Sequence, residues 1–203
     1  HTGRLPPTPH ALRARLANDR RAKRAMHAHD MLYHALADAP TLVSAIHCNI
    51  VLAALSDVAE WQLALVLLEH MATVSITPDA YSYSAAICAC ARADEPDAAV
   101  RTFKHMCASD VAKSTVAFNS ALMACQRAGR HSLVVAIHTL YSLELQPDAW
   151  ASGAAVRALS QLGQHGRAFA LYESLEPSQR GAHAVSAALN AATRARRWDL
   201  AAA

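Results

Sequence analysis

Apolar positions along residues 80–114 fall into two stripes. Tyr83, Ile87, Cys90 and Ala91 recur at three- and four-residue spacing, which puts them on one face of a helix running from about Tyr81 to Arg92. Ala99, Val100, Phe103, Met106 and Cys107 form a second stripe. Between them, Asp94-Glu95-Pro96 spell a turn and a helix start. Proline is tolerated in a first turn, where its missing N–H bonds nothing. The pattern predicts a helix–turn–helix unit.

The unit repeats at a period of thirty-five residues. Moved forward by that distance, Tyr83, Ser84, Ile87, Ala93 and Asp94 fall on Phe118, Asn119, Leu122, Ala128 and Gly129. Moved back, they fall on Cys48, Asn49, Leu52, Val58 and Ala59. Thr77-Pro78-Asp79 precedes the unit and Gln146-Pro147-Asp148 closes the next. A fixed period with matching apolar positions marks a repeat array. Neither helix can bury its stripe alone, whereas stacked neighbours bury a continuous core. The predicted fold class is all-α, an α-solenoid of stacked helix–turn–helix repeats.

The units are 45–79, 80–114, 115–148, 149–181 and a truncated 182–203, preceded by a basic arm and a degenerate partial repeat over 1–44. The third is one residue short and the fourth two short. In 45–79, Glu60-Trp61 opens a second helix that continues through Ala64, Leu67, Leu68 and Met71. In 149–181, Glu176-Pro177-Ser178 ends the second helix early and no Pro-Asp closes the unit. His27 to Leu36 reads as the second helix of the degenerate repeat, with Leu32, Tyr33 and Leu36 as core.

An aromatic followed by Asn or Ser in the fourth and fifth places, Ala-Gly or Ala-Asp at the turn, Phe…Met in the second helix and a closing Pro-Asp resemble the pentatricopeptide repeat family. The resemblance is strong over 45–148 and weak after it, where Gly153 stands in place of Asn or Ser. The rival is the tetratricopeptide repeat, whose first helix calls for Trp, then Leu-Gly and Tyr. No unit here has that pattern.

Composition narrows the picture. Of 203 residues 53% are hydrophobic and only 5% aromatic, so alanine and leucine fill the core. The most apolar region, 45–72, is broken by His47, Asn49, Asp57, Glu60 and Glu69 and is not a membrane span. Five cysteines, an odd number and all inside predicted helices, argue against a disulfide framework and fit a reducing interior. Cys88 and Cys90 point to different helix faces, and His27 and His29 come nearest to a pair among twelve histidines. No metal or cofactor is expected.

The net charge of +3 is unevenly spread. Residues 1–24 carry seven basic side chains against Asp19 alone, a balance of +6; the rest carry 12 basic and 15 acidic, a balance of −3. Arg13, Arg15, Arg20, Arg21, Lys23 and Arg24 are therefore candidate phosphate contacts, with Arg194, Arg196 and Arg197 as a second group. Pro6, Pro7 and Pro9 suggest an extended arm over 1–9. The Arg-rich, acid-poor start has the composition of an organellar transit peptide, although such peptides are usually removed. With no initiator Met and an end in mid-repeat at Ala203, the chain is expected to be processed or incomplete, its terminal half-repeats covered by more chain or by partner proteins.

No Gly-rich phosphate loop, nucleophile elbow, zinc-protease motif or paired carboxylates are present, so no enzymatic activity is expected. Asp94, Glu95 and Asp97 read as helix capping. The family resemblance instead implies single-stranded RNA as partner, one base per repeat, read by the fifth and last residues. Carried over, the pairs are Asn49 with Asp79, Ser84 with Ser114, and Asn119 with Asp148, with Ile46, Tyr81, Val116 and Trp150 packing against bases. An Asn offers donor and acceptor, a carboxylate orients it, and apolar or aromatic side chains sandwich a base. The family's Asn-with-Asp pair prefers uracil, which implies uracil at two sites separated by one base. The same residues have a structural reading, since Asn caps helices and Pro-Asp is a common turn. The resemblance implies a mitochondrial or plastid protein of RNA processing, stability or translation. The alternative is an architectural subunit of an organellar ribosome or other ribonucleoprotein, meeting ribosomal RNA.

Overall fold

The computed structural model describes residues 8–194. They form eleven helices and no strand: α1 Pro9–Arg21, α2 Ala25–Asp38, α3 Ala45–Asp57, α4 Trp61–Thr73, α5 Ala80–Arg92, α6 Pro96–Ala108, α7 Thr115–Arg127, α8 His131–Glu144, α9 Ala149–Gln161, α10 His165–Ser174 and α11 Ala182–Arg194. The fold is an α-solenoid. Single 3-10 turns at Pro40–Leu42 and Pro177–Gln179 fill two of the loops.

The chain divides into two compact units, residues up to Ala117 and residues from Phe118 on. In the first, the leading helices α1, α3 and α5 pack in sequence, and α2 and α4 each bridge the two leading helices beside them. In the second, α9 is central and touches α8, α10 and α11. Its core holds Val156, Leu159, Ala168, Ala187, Ala188 and Ala191. Small residues permit this. A Cβ added at Gly153 would lie 2.9 Å from the Ala184 nitrogen and 3.0 Å from the His183 Cβ, so α11 presses on backbone that no side chain covers.

One turn is built five times. The second residue after α1, α3, α5, α7 and α9 is left-handed, at Lys23, Ala59, Asp94, Gly129 and Gly163, with φ between 56° and 73°. The next amide then reaches back five residues along the chain: Arg24 to Asp19 at 2.8 Å, Glu60 to Leu55 at 3.0 Å, Glu95 to Cys90 at 2.9 Å, Arg130 to Cys125 at 2.8 Å and Gln164 to Leu159 at 2.9 Å. This is the Schellman closure, which satisfies helix-end carbonyls and reverses the chain. It corrects the capping assigned to the acidic cluster. Asp94 is the left-handed residue, and Glu95, at the N-cap of α6, makes no side-chain cap bond. Only Asp97 lies in the first turn of α6.

The N-terminal arm also needs correction. Pro9 starts α1 rather than excluding it, and Thr8 caps the helix by accepting from the Ala11 N–H at 3.2 Å. Leu12 and Leu16 are fully buried, and α1 packs on α2 and α3. At about 2 kcal/mol for each buried leucine, this docking outweighs the solvation of a basic surface helix. Residues 9–38 are thus a helical pair of the first unit. Pro6 and Pro7 lie outside the described residues.

Candidate functional site

The leading helices begin with side-chain caps, and those caps place the candidate reading residues. Asp79 caps α5 by accepting from the Ser82 N–H at 2.9 Å. Asp148 caps α9 by accepting from the Ala151 N–H at 2.8 Å. Each carboxylate still has capacity to accept, and in each case an Asn from the preceding leading helix uses it. Asn49 Nδ2 donates to Asp79 at 3.2 Å to Oδ1 and 3.0 Å to Oδ2. Asn119 Nδ2 donates to Asp148 Oδ2 at 2.7 Å. The two Asn–Asp pairs expected from the sequence are therefore assembled, and capping is done by the aspartates, not by the asparagines.

The Ser84–Ser114 pair is assembled too, but closed. Ser84 Oγ donates to the Ala80 carbonyl at 2.6 Å, which leaves Ser114 to donate to Ser84 across 2.6 Å. Ser114 Oγ in turn accepts from the Ala117 N–H at 3.2 Å. Both hydroxyl protons are used, so this pair has acceptor capacity only. At Gly153 the missing reading side chain has a steric cause, the close passage of α11.

Ile46, Tyr81 and Val116 stand in the first turn of α3, α5 and α7, and are 49%, 51% and 59% exposed. Large apolar side chains left half in water at equivalent positions are not explained by packing. Trp150, at the matching place in α9, is half-buried. Between α3 and α5 lies a largely apolar groove of about 390 Å³, with Tyr81, Ser84, Cys88, Ser114 and Val116 on its walls.

An ion-pair ladder closes one side of that groove. Arg20 Nε donates to Asp57 Oδ2 at 3.0 Å, and Arg92 Nη1 donates to Asp57 Oδ1 and to the Ser56 carbonyl, both at 3.0 Å. Burial pushes the Asp57 carboxyl up, but the hydrogen bonds from Arg20 and Arg92 outweigh it and hold its pKa below the ordinary value. Burial likewise works against the charge on Arg20, which hydrogen bonding to Asp57 and to Tyr81 restores and raises. Sequence reasoning missed Asp57 and Arg92. Their signal was present, since both end a leading helix thirty-five residues apart.

The basic candidates are not equivalent. Arg13, Arg15, Arg21 and Lys23 are exposed. Arg20 is engaged by Asp57, and Arg24 Nη2 lies 2.6 Å from Oδ1 of the buried Asp19, whose Oδ2 is 2.6 Å from His27 Nδ1. Arg21 and Arg20 line a second groove, between α1 and α3. Arg194 is exposed and reaches Gln161 Oε1 at 3.4 Å. In the second unit Arg157, His183 and Arg194 share a pocket of about 170 Å³ whose lining contains no carboxylate. Arg196 and Arg197 lie outside the described residues.

Among the described residues no group of three His, Cys, Asp or Glu is placed to hold a metal ion, and no helix is long and apolar enough to cross a membrane. Burial pushes the thiols of Cys48 and Cys90 up to about 11, which leaves them as inert packing groups.

Comparison with known proteins agrees with the fold. The sequence profile of the family described as PPR repeat matches residues 81–111. No curated protein matches the chain. Among solved structures, the pentatricopeptide repeat protein PPR10 in complex with an 18-nucleotide psaJ RNA element is 23% identical, with a TM-score of 0.65 over 98% of this chain and 28% of that one. PPR10 from maize matches at 23% identity and a TM-score of 0.61, over 92% of this chain and 27% of that one. The PPR domain of Arabidopsis thaliana protein-only RNase P 1, in complex with tRNA, is 14% identical, with a TM-score of 0.71 over 85% of this chain and 95% of that domain. The chain thus spans a little over a quarter of PPR10.

Proposed function

We propose, from the premise that the chain is a pentatricopeptide repeat protein, that it binds single-stranded RNA on its leading helices and acts by recognition, without catalysis. One observation carries the proposal. Two Asn–Asp pairs, thirty and twenty-nine residues apart in sequence, are each hydrogen-bonded so that the Asn keeps one N–H to offer a base edge. Half-exposed Ile46, Tyr81 and Val116 supply apolar faces on which bases stack. The RNA complexes of PPR10 and of the RNase P 1 domain support the same reading.

The setting we propose is an organelle, mitochondrion or plastid, where the protein would serve RNA processing, stability or translation. The Arg-rich, acid-poor N-terminal sequence supports it. Binding is tested with labelled U-rich single-stranded RNA at low salt. Replacing Asn49 and Asn119 together by Ala removes two base-directed hydrogen bonds, worth about 1 kcal/mol each, and is expected to weaken binding roughly thirtyfold. A wild-type chain without affinity for such RNA would defeat the proposal.

A second reading, an architectural subunit of an organellar ribonucleoprotein, is favoured by a different observation. The Ser84–Ser114 pair has no proton to give, and Gly153 is occluded by α11. A scaffold needs neither position. Co-sedimentation of the native protein with a ribosomal particle supports this reading, and recovery with one transcript alone sinks it.

A further inference from the structure

The two Asn–Asp pairs have the same composition and different surroundings, and the difference lies in the third residue of the helix that each Asp caps. After Asp79 that residue is Ser82, and after Asp148 it is Ala151. Ser82 is fully buried. Its Oγ accepts from the Asp79 N–H at 3.1 Å and donates to Asn49 Oδ1 at 2.6 Å, and it also lies 3.1 Å from Asp79 Oδ1. The Asn49 amide is therefore held at both ends, nitrogen on Asp79 and oxygen on Ser82. Asn119 is held at one end only. Its Oδ1 is buried and finds no hydrogen-bond partner, because Ala151 puts a methyl where Ser82 puts a hydroxyl.

A primary amide anchored through one atom keeps rotational freedom about its Cβ–Cγ bond, since that terminal torsion is broad. Anchored through both atoms, it points its remaining N–H along one direction. A hydrogen bond weakens steeply away from linearity, so only a fixed donor penalises a base whose acceptor is displaced. Discrimination of this kind arises when the wrong partner leaves a polar group unpaired, and a donor that can swing away escapes that cost.

We infer that Ser82 is a positioning residue for base recognition by Asn49, and that Ala151 leaves Asn119 a more permissive reader. The inference rests on the base-reading role proposed above and adds a determinant to it: the third residue of the following helix sets how strictly each Asn–Asp pair selects. It also explains why two pairs identical in sequence need not contribute equally to specificity.

The test is selection from a pool of single-stranded RNA randomised along its length, with base enrichment read at every position. Asn49→Ala and Asn119→Ala each identify the nucleotide whose enrichment they abolish. Ser82→Ala is expected to lower the enrichment ratio at the Asn49 nucleotide about fivefold, the equivalent of one neutral hydrogen bond, and to leave the other nucleotides unchanged. Ala151→Ser is expected to sharpen selection at the Asn119 nucleotide by a similar factor. A role confined to holding α5 would lower stability without changing the base ratio at a single nucleotide. If Ser82→Ala leaves enrichment at the Asn49 nucleotide intact, or, should that variant not fold, Ala151→Ser leaves the Asn119 nucleotide unchanged, the inference is overturned and base reading stands. If the wild-type chain enriches no base anywhere, base reading itself fails and takes the inference with it.

Discussion

Asp57 and Arg92, the last residues of α3 and α5, are joined at 3.0 Å, and the second oxygen of the same carboxylate takes Arg20 of α1 at the same distance. One acid thus holds two arginines from two other leading helices. Its position matters because the same arginines border the groove that Tyr81 and Val116 flank. The carboxylate competes with any phosphate for them.

Replacing Asp57 by Asn should therefore strengthen RNA binding. Two freed guanidinium groups are expected to steepen the slope of log K against log salt by about 1.4, at roughly 0.7 for each phosphate contacted on a single strand. The substitution should also change acid sensitivity. The Asp57 pKa is depressed in the folded chain, so its ion pairs contribute fully above the unfolded value of about 3.9 and are lost as pH falls through the lower folded value. Equilibrium binding across a salt series is the measurement, and an unchanged slope would show that the arginines meet no phosphate.

The turn geometry supports a stability prediction. Ala59 is left-handed at φ 60°, where the equivalent residues Gly129 and Gly163 carry no Cβ penalty. Ala59→Gly should stabilise the chain by about 0.5–1 kcal/mol after the larger unfolded-state entropy of glycine is counted. Gly129→Ala should do the reverse by a similar amount. Denaturant midpoints check both, and equal midpoints for Ala59→Gly and wild type would mean that the strain is relieved elsewhere.

These turns also mark the limit of what the sequence made legible. The stripe of three- and four-residue spacing predicts a helix from about Tyr81 to Arg92, and α5 runs from Ala80 to Arg92, because apolar spacing decides which face is buried. The family resemblance implies the pairs Asn49 with Asp79 and Asn119 with Asp148, and residues at fixed places in neighbouring repeats do meet where these helices stack. What it could not supply was proton bookkeeping. That the Ser84 proton goes to the Ala80 carbonyl and the Ser114 proton to Ser84, or that Ser82 completes Asn49, depends on hydrogen-bond directions that a pattern of residue types does not contain. The error at Pro9 came from counting a first-turn proline as a helix breaker, although Leu12 and Leu16 already indicated a buried helix face.

A third prediction concerns pH nearer neutrality. His138 of α8 is 5% exposed, burial pushes its pKa below the ordinary 6.5, and its Nε2 has no hydrogen-bond partner among the described residues. The folded state therefore binds this proton less readily than the unfolded state. Stability contributed by the neutral ring is complete above about pH 6.5 and declines as pH falls towards the lower folded value. His138→Leu, similar in volume and unable to titrate, should remove that decline. Thermal unfolding from pH 7.5 to 5 is the check, and a parallel fall in both proteins would place the sensitivity at another group.

The last prediction separates the two roles of α1. Deleting residues 1–24 would remove the basic residues and also uncover α3, since Leu12 and Leu16 are wholly buried beneath the helix. Any loss of RNA affinity would then mix lost charge with lost structure. Point changes keep them apart. Leu16→Ala should destabilise the chain by about 2–5 kcal/mol through the cavity it leaves, with little effect on the salt dependence of the protein that remains folded. Changing exposed Arg13, Arg21 and Lys23 together to Gln should leave stability within about 0.5 kcal/mol, as surface substitutions usually do. The same triple change should flatten the salt slope by about 0.7 for each residue that meets a phosphate. Base preference should be unaffected, because phosphate contacts position the strand and base contacts specify it. A triple variant with an unaltered slope would assign α1 to the fold alone and move the phosphate contacts to the carboxylate-free pocket of Arg157, His183 and Arg194.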